Sequence, residues 1–441
     1  MRELTIGSVL LAAILLIPVL VVCIECLAAL LPRRLDQSKS KSASPRPGAV
    51  VVVPAHNEEL VLAGTLTQLQ ALLLAGDRLI VVADNCTDRT VEIARGFSAE
   101  VIERHDLTQV GKGYALDFAA RYLDADARML AEHVVIVIDA DCGVSFDALN
   151  ALAQQVASTN GPAQAIYTMA RPLPPATPGE LVSSLAFLLR NQVRPRGLKR
   201  LGMPCALTGS GMAFPWPVFR DAPLGTSCIV EDLQLGIDLL IKNHPTRLCE
   251  GARILGTLPE DHADAIIQRT RWEHGHLWVA CSQVPRLLKS AISELRLAPL
   301  VMALDVLVPP LSLLIMTLFA ATLMAIVWAM IGQSHWPVRL LLTGDLAMGA
   351  CLIASWISFG RSILPLVSFA AIPRYVASKL PLYLKFIIRR QTRWIRTSRD
   401  NTRPPEPPAT GGGSIERPEQ RRQKSADGDD GMPGRKFAWI H

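Results

Sequence analysis

Val134-Val135-Ile136-Val137-Ile138 runs without a break into Asp139-Ala140-Asp141. Consecutive β-branched residues with no polar alternation read as a strand buried on both faces, as in a parallel sheet covered by helices. Such a sheet gathers its ligands outside the carboxyl ends of its strands, which is where Asp139 and Asp141 would stand. Two carboxylates one residue apart can hold a hard divalent cation there, and the cation can hold a diphosphate. A solvated turn after a strand, for which Asp and Gly143 are ordinary residues, explains the same segment. The flanking chain has to decide.

That chain alternates strand and helix patterns. Ala49–Val53 is a second buried-strand pattern, closed by Pro54, His56 and Glu58, and an apolar helical pattern follows (Leu62, Leu66, Leu69). Arg78–Ala83 is a third, ending at Asp84, with Thr87 or Asp88 placed to cap the next helix. Val101-Ile102 is a short strand, and Gly111-Lys112-Gly113 opens a helix. Beyond the central strand come a strand at Ala163–Met169, a helix over about 178–199, and a glycine-rich turn (Thr208-Gly209-Ser210-Gly211) before another strand. Glu231 and Asp232 begin a helix, where the dipole favours acids, and a last helix over about 264–288 carries Gln268, Arg271 and Trp272. This order predicts an α/β fold with a mostly parallel sheet and right-handed crossovers.

Half of the 441 residues are hydrophobic and only 19% are charged, too apolar for an ordinary soluble chain, and the excess lies at the two ends. Leu4–Leu31 is long enough to span a bilayer. Arg33, Arg34, Lys39, Lys41 and Arg46 follow it, so the positive-inside rule places the N-terminus outside and the next domain in the cytosol. Residues 311–331 and 338–359 predict two more spans, the second containing Asp345. The apolar stretch 363–388 is interrupted by Pro373, Arg374, Lys379 and Pro381 and reads as interfacial or re-entrant. Arg389, Arg390, Arg393 and Arg396 then mark the cytosolic side, in agreement with three spans. The expected division is a membrane helix at 1–32, a basic linker at 33–48, a cytosolic domain at 49–290, a membrane region at 291–396 and a disordered tail at 397–441. The net charge of +6 sits beside apolar segments and is read as topology, with no nucleic-acid partner. Nine scattered cysteines form no disulfide framework or zinc spacing, which suits a reduced compartment, and Cys23 and Cys26 read as helix packing.

Val52–Glu58, Val82–Asp88, Gly111–Leu116, Asp139–Asp141, Thr208–Gly211, Glu231-Asp232 and Gln268–Trp272, in this order and spacing, resemble the membrane-bound family 2 glycosyltransferases. That group includes cellulose, chitin, hyaluronan and poly-N-acetylglucosamine synthases and ceramide glucosyltransferases. The resemblance covers about Val50 to Trp278. It implies a GT-A type, Rossmann-like nucleotide-sugar-binding domain joined to transmembrane helices. It also implies inverting transfer from a nucleotide-sugar, with UDP favoured. By this resemblance Asp232 is the general base and Asp141 holds Mg²⁺ or Mn²⁺. Asp139 lies by the ribose and phosphate, and Asp84 by the nucleobase and ribose. Pro54, His56 and Glu58 contact the nucleotide, although His56 also reads as a loop polar group. Lys112, between two glycines, suits a phosphate, while a solvated lysine explains it nearly as well. Gln268 and Arg271 share a helix face on the donor side, and arginine can grip a phosphate bidentately. Gly209, Ser210, Glu231 and Trp272 fall on the acceptor side. His262, His274 and His276 fit no common zinc spacing.

The expected function is transfer to a glycan acceptor in exopolysaccharide or cell-surface polysaccharide synthesis, at a bacterial inner membrane, with envelope polysaccharide-assembly proteins as possible partners. Single addition to a membrane lipid is the alternative, since three spans are few for a translocating channel and the Gln-x-x-Arg-Trp pattern is shared by both kinds of enzyme. The remaining alternative is an inactive scaffold that binds nucleotide-sugars or a partner synthase.

Overall fold

The computed structural model describes residues 2–32, 46–170, 176–257 and 262–388. Most of the basic linker, the 389–396 arginines and the 397–441 tail therefore lie outside the described residues.

Among the described residues eight strands form one sheet: β1 (Ala49–Ala55), β2 (Arg78–Asp84), β3 (Glu100–Arg104), β4 (Val134–Val137), β5 (Gly143–Val144), β6 (Ala163–Met169), β7 (Met212–Pro215) and β8 (Arg247–Gly256). Their order is β3-β2-β1-β4-β7-β6-β8-β5. The β3-β2-β1-β4 half is parallel. In the other half β7 runs antiparallel to β4 and β6, β8 is parallel to β6, and β5 is antiparallel to β8. The sheet is thus mixed but mostly parallel. Gly143-Val144, which looked like turn, is a strand because β8 supplies its pairing partner.

The pleat sends alternate residues to opposite faces, and both faces are covered. Val51 and Val53 join Leu62, Leu66 and Leu69 of the helix Leu62–Gln70 and Leu149, Leu152 and Val156 of the helix Ala148–Thr159. Val50 and Val52 meet Leu116, Ala119 and Leu123 of the helix Lys112–Asp124, and Leu235 and Leu239 of the helix Glu231–Ile241. Double-sided burial is why these strands carry no polar alternation. At the helix after β2 the N-cap is Arg89, and Asp88 accepts the Thr90 N–H at 3.0 Å from one position earlier.

Among the described residues, three helices are long and apolar enough to cross a membrane: Ile6–Leu30, Leu311–Met330 and Trp336–Gly360. Trp336, expected in a loop, begins the last of these. In that helix Asp345 accepts a 2.8 Å hydrogen bond from Thr322 of the preceding one, so the acid has a polar partner. Residues 366–388 break into three short helices (Leu366–Ala371, Ile372–Ser378 and Leu380–Ile388), each shorter than a span requires. They are tied to the helix His262–Ser293, which is longer at both ends than its sequence pattern predicts. Lys379 pairs with Glu273 at 2.6 Å, and His274 Nε2 meets the Leu382 carbonyl at 2.9 Å. Arg46, one of the charges read as a topology signal, is bound to Asp77 just before β2.

The first membrane helix (Arg2–Leu30) docks on the helix Arg194–Arg200. A Cβ at Gly197 would lie 1.9 Å from the Glu25 carbonyl oxygen, so only glycine lets the two backbones approach this closely. Gly197→Ala should therefore cost about 1–3 kcal/mol and lower the thermal midpoint of the detergent-purified protein. Gly349→Ala, at a helical glycine with open space around it, should leave the midpoint unchanged or raise it slightly.

Candidate active site

The parallel strands β1, β2 and β4 bring their carboxyl ends to one edge of the sheet, and with them Pro54–Glu58, Asp84 and Asp139–Asp141. Because β7 runs the other way, the Thr208–Gly211 turn that precedes it lies at the same edge. Lys112 and the Glu231-Asp232 pair open the two helices that point there. A cavity of about 510 Å³ is lined by Pro54, His56, Glu58, Asp84, Lys112, Asp139, Asp141, Gly209, Glu231, Asp232, Gln268, Arg271 and Trp272. All the candidate residues are thus brought together except Ser210. Its side chain is fully buried beneath the cavity, and its hydroxyl accepts the Asp139 N–H at 3.0 Å. Ser210 shapes the strand end and does not reach a place where an acceptor could touch it.

Lys112 is not solvated. Its ammonium contacts the Asp139 carboxylate and donates to the Gly209 carbonyl at 2.6 Å. Burial by itself would lower its pKa, but attraction to Asp139, Glu231 and Asp232 outweighs this and holds it above the ordinary lysine value. The turn stays in place through Gln164, which accepts the Thr208 N–H at 2.9 Å and donates to the Ser210 carbonyl at 2.8 Å. Gly209 has a positive φ of 91°, and a Cβ there would lie 3.3 Å from Asp232 Oδ2, so the turn backbone runs directly beside the candidate base.

On the nucleoside side, Asp84 is buried and ion-paired with Arg104 at 2.7 Å. Burial raises the Asp84 pKa, against the pull of Arg104. Its carbonyl is bound by His56 Nδ1 at 2.6 Å. Arg104 escaped the sequence reading because only the β2–β3 register sets it opposite Asp84.

Asp139, Asp141 and Cys142 offer ligand atoms within 4.8 Å of one another. Burial pushes the Cys142 thiol well above its usual range, so it stays protonated and is no ligand for a hard cation. Lys112 already neutralises Asp139. Asp141 lines the same cavity and offers a second carboxylate to a cation. Mg²⁺ and Mn²⁺ sites are commonly built from one or two carboxylates completed by substrate phosphates, so the donor set fits.

Glu231 and Asp232 are adjacent acids in one enclosed helix turn. Burial, reinforced by the charge of Asp232, pushes Glu231 up to about 7. Burial also raises Asp232, which accepts the Leu233 N–H at 2.8 Å. Across the cavity, Trp272 packs on Phe187 (centroids 5.8 Å) and Phe187 on Tyr167 (5.7 Å), which makes an apolar ledge. Phe187 and Tyr167 carry no motif and were not legible as site residues. Gln268 Oε1 and Thr208 Oγ1 are buried without a hydrogen-bond partner among the described residues. His276 Nε2 meets the Val308 carbonyl at 2.9 Å and His274 is likewise bound to a carbonyl, so neither is arranged as a metal ligand.

The sequence profile described as "Glycosyltransferase like family 2" matches residues 45–275. The chain belongs to this family. A probable glycosyltransferase, YdaM of Bacillus subtilis (strain 168), is 37% identical over 103 residues, 22% of this chain and 23% of that protein, so the match spans under a quarter of the relative. Among solved structures, the chain is similar to the mannosyltransferase PcManGT from Pyrobaculum calidifontis in complex with GDP-Man and Mn²⁺. The TM-score is 0.50 at 16% identity, over 86% of this chain and 98% of that one, a likeness of fold. S. aureus TarS is similar at a TM-score of 0.35 and 14% identity, over 54% of this chain and 39% of that one. This family 2 member thus has a GT-A-like fold.

In this glycosyltransferase, Lys112→Met should weaken binding of a nucleoside diphosphate with Mn²⁺ by about 10–100-fold, the range for a lost charged hydrogen bond. Titration calorimetry reads this, and an unchanged affinity would remove Lys112 from the donor side. Glu231 provides a second test. Its folded pKa lies above the ordinary value of 4.5, so the folded state holds the proton more tightly than the unfolded chain. Stability should therefore fall as pH rises from about 4.5 to about 7. In the nucleotide- and metal-free protein, Glu231→Gln should remove up to about 3 kcal/mol of that fall, so the variant gains on the wild type towards pH 8 in thermal unfolding. A parallel pH dependence in both proteins would contradict this assignment.

Proposed function

We propose that the protein is an inverting hexosyl- or N-acetylhexosaminyltransferase that uses a UDP-sugar and acts at the membrane face. The observation that carries this reading is the meeting of Asp232, Lys112, Asp139 and Asp141 on one cavity. Inversion needs one base to take the acceptor hydroxyl proton while the oxygen attacks the anomeric carbon from the side opposite the leaving diphosphate. Asp232 takes that proton. Its raised pKa brings it closer to the working pH, which makes it a stronger base than a solvated aspartate. Glu231 orients the acceptor beside it, and Trp272 offers a flat apolar face to a sugar ring. Lys112 and Arg271 stabilise the charge that develops on the diphosphate, and Asp84, Pro54, His56 and Glu58 hold the nucleoside end. A Mg²⁺ or Mn²⁺ ion on Asp141 would supply Lewis-acid stabilisation of the same diphosphate.

The acceptor is read as a glycan of an exopolysaccharide or cell-surface polysaccharide. The domain faces the cytosol at a bacterial inner membrane, with the N-terminus outside. Single addition to a membrane lipid is favoured by one observation: the cavity continues to Leu311 and Ile315 of the second candidate span and to Trp356 at the end of the third. An inactive scaffold would have no need of the complete charged set in one place.

Asp232→Asn should lower turnover by about 10²–10⁴-fold with donor affinity retained. The assay is UDP release by the detergent-purified protein from UDP-glucose, UDP-N-acetylglucosamine and UDP-galactose, with Mg²⁺, Mn²⁺ or EDTA and added membrane lipids. Full activity in the variant would overturn the assignment of the base, and product length separates polymer from single addition.

A further inference from the structure

From the transfer residues the cavity runs on past Phe187 and Arg190 to Leu311, Ile315, Trp356 and Tyr375. These last residues belong to the apolar assembly built around the candidate spans. The sugar-transfer end of the cavity is polar and its membrane end is apolar. An acceptor that filled it would have to be polar at one end only.

Arg190 stands at the junction. It lies in a π-helical turn, Leu189–Val193, between the helices Pro178–Leu188 and Arg194–Arg200. Such a turn inserts a residue and re-aims the side chains around it, and π-turns recur at functional sites. The Arg190 side chain is exposed and lines the cavity. Its Nη2 donates to His276 Nδ1 at 3.1 Å. Since His276 Nε2 meets the Val308 carbonyl at 2.9 Å, the ring proton is on Nε2 and Nδ1 is the acceptor. Burial, with the nearby Arg190 charge, pushes His276 down to about 3, so the ring is neutral and does not offset the guanidinium.

Among the described residues, no carboxylate lies within ion-pair distance of Arg190. Arg194, one turn on, has two: Glu25 at 2.5 Å and Asp305 at 2.5 Å. One arginine of this helix is thus saturated by protein and the other presents its charge to the cavity. A guanidinium presented to a cavity with no carboxylate in ion-pair range attracts an anion there. Asp232 and Glu273 influence it from beyond contact range, whereas Asp139 already has Lys112. Arg190 therefore belongs with the base, on the acceptor side.

We propose that Arg190 binds the anionic group of the acceptor, and that this acceptor is an amphiphile with a phosphate at its polar end and an apolar chain in the membrane end of the cavity. The planar guanidinium matches phosphate oxygens bidentately. Membrane amphiphiles commonly carry their charge as phosphate, in line with the apolar lining beyond it. The proposal rests on the reading of Asp232 as the reacting end of the site.

The test is binding to the detergent-purified full chain, followed by thermal shift and by quenching of tryptophan fluorescence. The probes are farnesyl phosphate against farnesol, dioctanoyl phosphatidic acid against dioctanoylglycerol, and inorganic phosphate alone. At least one lipid phosphate should bind about 10–100-fold more tightly than its alcohol and than inorganic phosphate, the range expected for a charge-assisted contact. Arg190→Gln should abolish that preference, and Arg190→Lys, which keeps the charge, should retain part of it. Both variants should bind UDP with Mn²⁺ as the wild type does. The proposal is overturned if the alcohols bind as well as the phosphates, or if inorganic phosphate binds as well as the lipids. It is also overturned if Arg190→Gln keeps the preference or loses UDP affinity instead. Nucleotide binding in the same samples keeps the two readings apart. A wild type that binds lipid phosphate but no nucleotide would sink the transferase site, and one that binds nucleotide but prefers no lipid phosphate would sink only the role of Arg190.

Discussion

Charge neutralisation beneath the surface is the constraint on which this site depends. Asp139, Glu231 and Asp232 stand in one enclosed space, where uncompensated carboxylates would either be protonated or drive the turn apart. Lys112 opposes both, although burial still raises the pKa of Glu231 and Asp232. One ammonium reaches the end of β4 through Asp139 and the turn before β7 through the Gly209 carbonyl, and its field extends to both acids of the helix beyond. The position of the lysine at the first residue of its helix, after Gly111, makes this reach possible.

The same principle joins the catalytic domain to the membrane part. Arg194 sits between Glu25 of the first membrane helix and Asp305 of the helix Leu297–Leu307, and Gly197 lets the first helix lie against the domain backbone. Breaking one partner of such a buried set leaves a charge without compensation, which costs far more than a surface pair would. The donor site and the apolar end of the cavity are therefore held in one frame. The proposed reaction, between a water-soluble donor and a membrane-resident acceptor, would require this.

The parts of the fold with the strongest local signal were legible in the sequence. Unbroken Val/Ile runs mark strands buried on both faces, and the acids that end them mark the ligand edge. This holds because strand burial and strand-end chemistry are properties of a few consecutive residues. The short β5, the antiparallel insertion of β7 and the full length of the helix His262–Ser293 were not legible, since each is stabilised by a partner distant in the chain.

The site divides in the same way. The sequence by itself determined which side chains have the chemistry: Asp84, Lys112, Asp139, Asp141, Glu231, Asp232, Gln268, Arg271 and Trp272 stand in motifs that mark them before any fold is known. Only the tertiary structure decided what each one does there. It turned Lys112 from a surface lysine into the central counter-charge, and it withdrew Ser210 from the cavity to support Asp139. It also set Arg104 against Asp84, and it left Arg190 facing the cavity while its neighbour Arg194 was neutralised. The reason is physical: residue type is carried by the chain, but the pairing of charges, and with it their free energy, depends on distances that only the packed fold sets.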